Sequence, residues 1–197
     1  MQDTALTLIQ PHLMQSDKTI LWVIDENIAA LPTTLPSPSL TALTNRYDIY
    51  QEANHKKINT HFNDFDSTHF RPNHFDLIVY RVSKERAVVH HVINQSFPSL
   101  KEGGQLILCG QKQEGIKTHI KNAEKRFNQK ASFKLEKQFR IATLMKDETG
   151  GTLLDDNSYS TLRQIPGSDT HSFTTKPGLF GWNKVDQGSA FLADVLT

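Results

Sequence analysis

Residues 100–107 read Leu-Lys-Glu-Gly-Gly-Gln-Leu-Ile, which places two glycines directly before an apolar run. Upstream, from Ser83 to residue 97, apolar side chains recur at i, i+4 steps, which indicates a helix with Ser83 as its N-cap. The run after the glycines, residues 105–109, is short and apolar like a buried strand. Glycine permits the positive φ of a tight turn between the two elements. The stretch therefore predicts a helix, a sharp turn and a strand.

Three other short runs, rich in β-branched and aromatic residues, precede this stretch, and segments with helical spacing separate them. We predict strands at residues 19–25, 47–51, 75–82 and 105–109. Strands that alternate with helices imply a parallel sheet in an α/β protein. A second helix is predicted after Gly115, where apolar residues repeat at helical spacing. The last extended runs, residues 131–138 and 139–146, are predicted to pair as a closing antiparallel hairpin.

The composition is that of an ordinary globular chain, since 37% of the 197 residues are apolar and 22% are charged. This length allows one well-cored domain and a tail. The single cysteine, Cys109, excludes an internal disulfide and a cysteine-cluster metal site, and its apolar flanks predict a buried strand residue.

The pattern of charge and hydropathy bears on location and partners. No apolar run is long enough to cross a bilayer and the first residues lack a secretory pattern, so we expect a cytoplasmic protein with no membrane partner. The net charge of +1 gives no overall attraction for nucleic acid. Any such binding must come from local patches.

The predicted order of elements resembles the class I S-adenosylmethionine (SAM)-dependent methyltransferase fold. This is a Rossmann-like α/β fold with a mainly parallel sheet and a closing antiparallel hairpin. Residues 100–107 are similar to the Leu-Lys-Pro-Gly-Gly-x-Leu turn that the family uses before its fifth strand. Turns of this kind occur in many α/β proteins, so the similarity favours the fold rather than an activity.

Two segments depart from the catalytic pattern of that fold. A SAM site needs a glycine-rich loop after the first strand, because only glycine lets the backbone approach the cofactor closely. Here residues 26–30 read Glu-Asn-Ile-Ala-Ala, and all ten glycines lie at or after Gly103. Amino-methylating relatives carry Asn-Pro-Pro-Tyr or Asn-Pro-Pro-Phe after the fourth strand, whereas residues 80–83 read Tyr-Arg-Val-Ser. We therefore expect a degenerate copy of the fold, with no bound cofactor and no catalytic residue.

Residues 176–192 read Lys-Pro-Gly-Leu-Phe-Gly-Trp-Asn-Lys-Val-Asp-Gln-Gly-Ser-Ala-Phe-Leu. They resemble the Pro-Gly-Val-Phe-Ser-x-x-x-Leu-Asp-x-Gly-Ser-x-x-Leu-Leu segment of the "methyltransferase small" family, the guanine-N2 methyltransferases of ribosomal RNA. Gly181, Trp182 and Val185 depart from that pattern. The resemblance implies that residues 1–165 form a degenerate amino-terminal domain. Residues 166–197 would then be a linker and the start of a carboxy-terminal, SAM-dependent catalytic domain, which is the expected partner of the first.

The same resemblance implies that Asp186, Gln187 and Ser189 lie near the cofactor site of the full-length enzyme, which uses SAM. A simpler interpretation is that Asp186 and Ser189 cap a helix over residues 190–196. The two interpretations are compatible.

A local excess of positive charge lies between residues 117 and 140, where the sequence has eight basic residues and two acidic ones. Lysines at i, i+4 and i+8 make a linear track that can follow an RNA phosphate backbone. The alternative is a solvated helix face. Three further basic residues, Arg81, Lys84 and Arg86, lie at the carboxyl end of the predicted fourth strand, the edge where open α/β sheets bind ligands. The candidate RNA-binding residues are Lys117, Lys121, Lys125, Arg126, Lys130, Lys134, Arg81 and Lys84.

Histidines and aspartates between residues 61 and 74 have no compact ligand spacing, and no metal site is predicted. The leading hypothesis is the non-catalytic, amino-terminal domain of a SAM-dependent ribosomal RNA guanine-N2 methyltransferase, which supports the catalytic domain and helps to bind ribosomal RNA. The alternative is a free-standing α/β binding or scaffold domain without methyltransferase activity.

Overall fold

The computed structural model describes residues 4–33, 39–166 and 172–195, apart from the side chains of Ala193 and Asp194. A sheet of seven strands forms its centre. The strands are β1 (Ile20–Ile24), β2 (Leu40–Thr44), β3 (Asn59–Phe62), β4 (Phe75–Arg81), β5 (Leu100–Gln111), β6 (Ser132–Glu136) and β7 (Phe139–Met145). They lie in the order β3-β2-β1-β4-β5-β7-β6. Strands β1 to β5 are parallel, and β7 and β6 close the sheet as an antiparallel pair, which confirms the predicted fold.

Helices cover both faces of this sheet. They are α1 (Thr4–Leu13), α2 (Tyr47–His55), α3 (Arg86–Ser99) and α4 (Ile116–Phe127). The buried residues of α1 and α2 form one apolar core with Trp22 of β1, and those of α3 and α4 form a second core with Val23. Successive strand side chains point to opposite faces, so a fully apolar strand such as β1 can serve both cores.

The strand predicted at residues 47–51 is wrong, because these residues begin α2. Ile49 and Ala53 are buried four residues apart, which is the spacing of a helix. The strands on either side of α2 were not predicted. Only one of the four residues in β3 is apolar, and none of the four is buried. Helix α1 was also missed; it is short and contains Pro11.

The remaining elements of the central domain follow the prediction. Helix α4 begins directly after Gly115, whose φ is 77°, and the hairpin of β6 and β7 forms as expected. Strand β5 begins at Leu100, directly after α3, so the two glycines lie inside the strand and not in a turn before it. Gly103 nevertheless has a positive φ of 74°, and a Cβ on Gly104 would lie 2.8 Å from the carbonyl oxygen of Lys101. Helix α3 starts at Arg86, so Ser83 is not its N-cap. Cys109 is buried on β5, as predicted.

The chain after β7 returns across α3. Asn94 of α3 accepts a hydrogen bond from the Leu154 amide and donates one to the Leu154 carbonyl, both at 2.9 Å. A separate hairpin follows, made of β8 (Arg163–Pro166) and β9 (Ser172–Thr175), and the predicted division between residues 165 and 166 falls inside it. The division into two domains stays a prediction.

The last described element is α5 (Gln187–Val195). It begins three residues before the helix predicted at 190–196, and residue 196 lies outside the described residues. No helix within the described ranges has the length and hydropathy needed to cross a membrane.

Candidate functional site

The carboxyl ends of β1 and β4 lie side by side at the edge where open α/β sheets bind ligands. Asp25 follows β1 and is only 7% exposed. The Tyr80 hydroxyl donates a hydrogen bond to Oδ2 of Asp25 at 3.0 Å, and the Glu26 amide donates to Oδ1 at 2.7 Å. Burial, and then the Asp25 carboxylate, raises the pKa of Tyr80 well above its usual value. The phenol therefore stays protonated and donates to Asp25.

Residues 26–30 close over the same edge through their own side chains. Asn27 donates its side-chain amide to the carbonyl of Val82 at 2.6 Å, which ties the loop after β1 to the end of β4. Ile28 is fully buried in the core beneath α1 and α2. The segment therefore carries packed side chains at the positions where the class I pattern has a glycine-rich loop.

Arg81, the last residue of β4, does not reach the surface. It is 4% exposed and forms a buried, bidentate ion pair with Glu114. The structure thus corrects the prediction that Arg81 contacts RNA, because its guanidinium is already neutralised and shielded from phosphates. Lys84, three residues later, is exposed at this edge.

Exposed lysines line the outer surface of α4 and the turn that follows it. Lys117, Lys121 and Lys125 are exposed, whereas Ile116, Ile120, Ala123 and Phe127 of the same helix are buried against the sheet. At the carboxyl end of α4 a cleft of about 440 Å³ is lined by Lys121, Glu124, Lys125, Asn128, Gln129 and Lys130. The predicted track residues Lys117, Lys121 and Lys125 therefore lie exposed along one side of the fold, and Lys130 follows them.

Two predicted members of the track lie elsewhere. Arg126 is 9% exposed; its guanidinium lies 4.4 Å from the centre of the Phe97 ring and donates to the Gly151 carbonyl at 3.2 Å. Lys134 is paired across the hairpin with Ile141, which packs on the α1 side of the sheet. Burial, Lys18 and Lys134 together lower the pKa of His12 in α1, which agrees with this placement. Neither Arg126 nor Lys134 belongs to the surface of α4.

Sequence reasoning missed an exposed aromatic residue on the hairpin that follows α4. Phe133 of β6 is 56% exposed, and the guanidinium carbon of Arg140 lies 5.2 Å from the centre of its ring. Arg140 belongs to the basic run between residues 117 and 140, but it is not one of the candidate RNA-binding residues. The alternation of side chains along the predicted hairpin was the available signal, because it places Phe133 and Lys134 on opposite faces.

Comparison with known proteins identifies the family. The sequence model of the methyltransferase small domain, N-terminal, matches residues 8–136, well over half of the chain. The chain belongs to this family. The match runs from α1 to the end of β6 and so includes both the filled carboxyl edge and the lysines of α4.

Individual relatives agree with this family. The chain is 27% identical over 122 residues to the ribosomal RNA small subunit methyltransferase C of Marinomonas sp. (strain MWYL1), a match that covers 62% of this chain and 35% of that protein. The T. thermophilus 16S rRNA N2 G1207 methyltransferase, solved with AdoMet and guanosine, superposes with a TM-score of 0.74 at 18% identity. This superposition covers 99% of the chain and 52% of that enzyme.

The fold likeness extends to other methyltransferases. A putative methyltransferase from Pseudomonas syringae superposes with a TM-score of 0.50 at 14% identity, covering 71% of this chain and 95% of that one. At such identities the solved structures show the fold alone. The chain spans about half of the T. thermophilus enzyme and about a third of the Marinomonas relative.

Beyond the range matched by the methyltransferase small family, Asp186 caps α5. Its Oδ1 accepts hydrogen bonds from the amides of Gly188 and Ser189 at 3.0 and 3.2 Å, and its Oδ2 accepts one from the Ser189 hydroxyl at 2.6 Å. The serine hydroxyl and two of the amides pull the pKa of Asp186 below its usual value. The interpretation of Asp186 as a helix cap is therefore confirmed, and Gln187 begins the helix. Among the described residues, no group of three or more histidine, cysteine or acidic side chains could hold a metal ion.

Proposed function

We propose that this chain is the amino-terminal, non-catalytic domain of a SAM-dependent ribosomal RNA guanine-N2 methyltransferase, and that it binds ribosomal RNA and supports the catalytic domain. The names of the Marinomonas relative and the T. thermophilus enzyme support an RNA substrate. The chain matches only part of either protein, which is consistent with a role as one domain. We also propose that the whole enzyme uses SAM as its cofactor and that it acts in the cytoplasm.

The observation that carries the RNA-binding proposal is the row of exposed lysines on α4. Lys117, Lys121 and Lys125 are held on one side of the fold by a helix whose opposite side is buried, so they cannot collapse into the core. Lys130 extends the row and Lys84 adds a charge at the carboxyl edge. Lysines at helical spacing on a rigid scaffold can contact successive phosphates of one strand.

Support of the catalytic domain is proposed for residues 166–197. Several large apolar side chains are exposed there, including Phe180 at 90% and Phe191 at 70%. Exposed apolar clusters of this kind mark interaction surfaces. In the full-length enzyme this segment would lie against the catalytic domain, with Asp186, Gln187 and Ser189 near its cofactor site.

The test of RNA binding is a charge-reversal variant, Lys117→Glu, Lys121→Glu and Lys125→Glu combined. Fluorescence anisotropy with a ribosomal RNA fragment should show weaker binding at low salt. The slope of log affinity against log salt should fall by about 2, because roughly 0.7 counterion is released per single-strand phosphate contact. The buried face of α4 is unchanged, so the urea midpoint should move little.

A matched control carries the same charge change on exposed or half-exposed lysines elsewhere: Lys18→Glu, Lys57→Glu and Lys184→Glu. It should keep most of the wild-type slope, because overall charge acts weakly compared with direct phosphate contact. Equal slopes in wild type and the α4 variant would assign these lysines to a solvated helix face and remove the RNA-binding role.

A further inference from the structure

Phe133 is an exposed aromatic residue on an outer strand of the sheet, as is Phe62 on β3 at the opposite edge. Phe133 lies on β6, which pairs only with β7 among the described strands, and 56% of its surface is open to solvent. Arg140 of β7 covers part of the ring, with its guanidinium carbon 5.2 Å from the ring centre. A cation in this position orients the ring and leaves the remainder accessible.

The register of the hairpin determines which side of the sheet carries this ring. Phe133 is directly opposite Ala142, and Ala142 is buried in the core shared with α3 and α4. Directly opposed residues of an antiparallel pair point to the same face. Phe133 therefore lies on the α4 side of the sheet, the side that carries the exposed lysines.

The carboxyl end of α4 carries positive charge on the same side of the sheet as this ring. Lys121, Lys125 and Lys130 line the cleft of about 440 Å³ at its carboxyl end. Glu124 is the one acidic residue of the cleft lining; it accepts a hydrogen bond from the Ala131 amide at 3.1 Å and lies 3.6 Å from Lys130. Because Ala131 immediately precedes β6, the cleft and the strand that carries Phe133 are joined directly.

From these placements we propose that Phe133 and Arg140 stack an unpaired base of single-stranded RNA, while Lys121, Lys125 and Lys130 bind the adjoining phosphates. This inference rests on the proposed RNA-binding function and narrows its ligand to a strand with exposed bases. Sequence-tolerant binding of single strands combines a positive groove with aromatic stacking, and arginine planes add to the stack. In a duplex the bases are already paired and stacked on one another, so no unpaired base is accessible for the Phe133 ring to stack on.

The test compares two RNA probes on the 197-residue chain. One is a labelled oligouridylate of roughly 12 nucleotides, within the length that such a surface covers, and the other is an RNA duplex of the same length. Phe133→Ala should weaken binding of the oligouridylate by about fivefold or more, the loss expected for one base stack. Binding of the duplex should not change, and neither should the salt slope of either probe, because no charge is removed.

Two further variants keep the result interpretable. Tyr47→Ala removes another exposed aromatic side chain, 60% exposed on α2 on the opposite face of the sheet, and should leave both affinities unchanged. Phe133→Trp retains a stacking ring, so it should bind the oligouridylate like wild type and lose part of its added fluorescence when the RNA binds. Phe133 is outside the core, so both of its variants should keep the wild-type urea midpoint.

Unchanged oligouridylate affinity in Phe133→Ala, or an equal loss for the duplex, would overturn the stacking proposal. If the α4 charge reversal still weakens RNA binding in that case, the proposed RNA-binding function stands and only the stacking proposal fails. A further outcome is that wild type binds none of the three RNAs, namely the oligouridylate, the duplex and a ribosomal RNA fragment. That result would contradict the RNA-binding function and the stacking proposal together.

Discussion

The guanidinium of Arg81 donates hydrogen bonds of 2.5 and 2.6 Å to the two carboxylate oxygens of Glu114. Both side chains are buried, although 33 residues separate them in the chain. Glu114 also accepts a hydrogen bond from the Gln111 amide at 2.6 Å. The pair therefore links the end of β4 to the turn that leads into α4, and it fixes the helix that carries the lysines.

Glu114→Gln should lower the free energy of unfolding by about 3 kcal/mol at pH 7, because it leaves the Arg81 charge buried without its counter-ion. Urea denaturation measures this change. The matched control is Lys130→Gln, which removes the exposed ion pair with Glu124 and should change stability by less than about 1 kcal/mol. A loss below 1 kcal/mol in Glu114→Gln would mean that the pair does not hold the turn.

The same pair predicts a pH dependence. Burial opposes ionisation of Glu114, but the hydrogen bonds from Arg81 and Gln111 outweigh it, so the pKa of Glu114 lies below its usual value. Its stabilisation is therefore complete above the ordinary glutamate pKa of about 4.3 and is lost as the pH falls below it. The stability difference between wild type and Glu114→Gln should shrink as the pH falls from about 6 to about 3. A difference that grows instead would contradict this assignment.

The burial of His119 predicts a second loss of stability on acidification, which occurs at higher pH than that of Glu114. His119 is 5% exposed, and burial, followed by the nearby His90 ring, lowers its pKa to about 4. The unfolded chain binds a proton near pH 6.5 and the folded chain does not, so stability falls as the pH drops from about 6.5 to about 4. Between pH 7 and about pH 5 wild type should lose about 2 kcal/mol more than His119→Gln. Parallel stability curves for the two proteins would exclude a buried neutral histidine here.

The segment after β9 is anchored to the central domain at Asp64 and Tyr159. The Tyr159 hydroxyl donates to Oδ1 of Asp64 at 2.7 Å, and Lys176 pairs with Asp64 and lies 3.7 Å from the centre of the Tyr159 ring. The Lys176 side chain is 13% exposed, whereas Lys184 is exposed. The Leu179 amide donates to the Lys176 carbonyl at 3.3 Å, and the Lys184 amide donates to the Gly181 carbonyl at 3.2 Å. Hydrogen–deuterium exchange should therefore be slower at the Leu179 amide, beside the anchor, than at the Lys184 amide.

Tyr159→Phe tests this anchor, because it keeps the ring but removes the hydrogen bond to Asp64, worth about 1 kcal/mol. It should speed hydrogen exchange at the Leu179 amide by several fold, while Tyr47→Phe, on another surface, should not. Equal exchange rates of the Leu179 and Lys184 amides in wild type would show that the anchor does not hold the segment.

The sequence allowed the prediction of those elements whose signals are local. Helix α4 shows its apolar repeat within twelve residues, and the closing hairpin shows two extended runs with no helix between them. By contrast, β3 has no buried residue, so its place in the sheet depends on pairing with β2 rather than on its own composition.

Side-chain roles were less predictable because burial depends on distant partners. Arg81 and Lys84 are equivalent basic residues in the sequence, but only Arg81 meets Glu114. Arg126 continues the lysine pattern and is nevertheless turned onto Phe97 by the packing of α4 against α3. Lys134 and Phe133 could have been separated in advance, since neighbouring strand residues point to opposite faces.

We infer that the carboxyl edge of this domain is closed by its own side chains, because Asp25 is hydrogen-bonded to Tyr80 and Asn27 to Val82. Isothermal titration of the 197-residue chain with SAM tests it most directly. We expect no binding with a dissociation constant of about 10 µM or tighter. A measured constant at or below about 10 µM would contradict it and would restore a cofactor site to this domain.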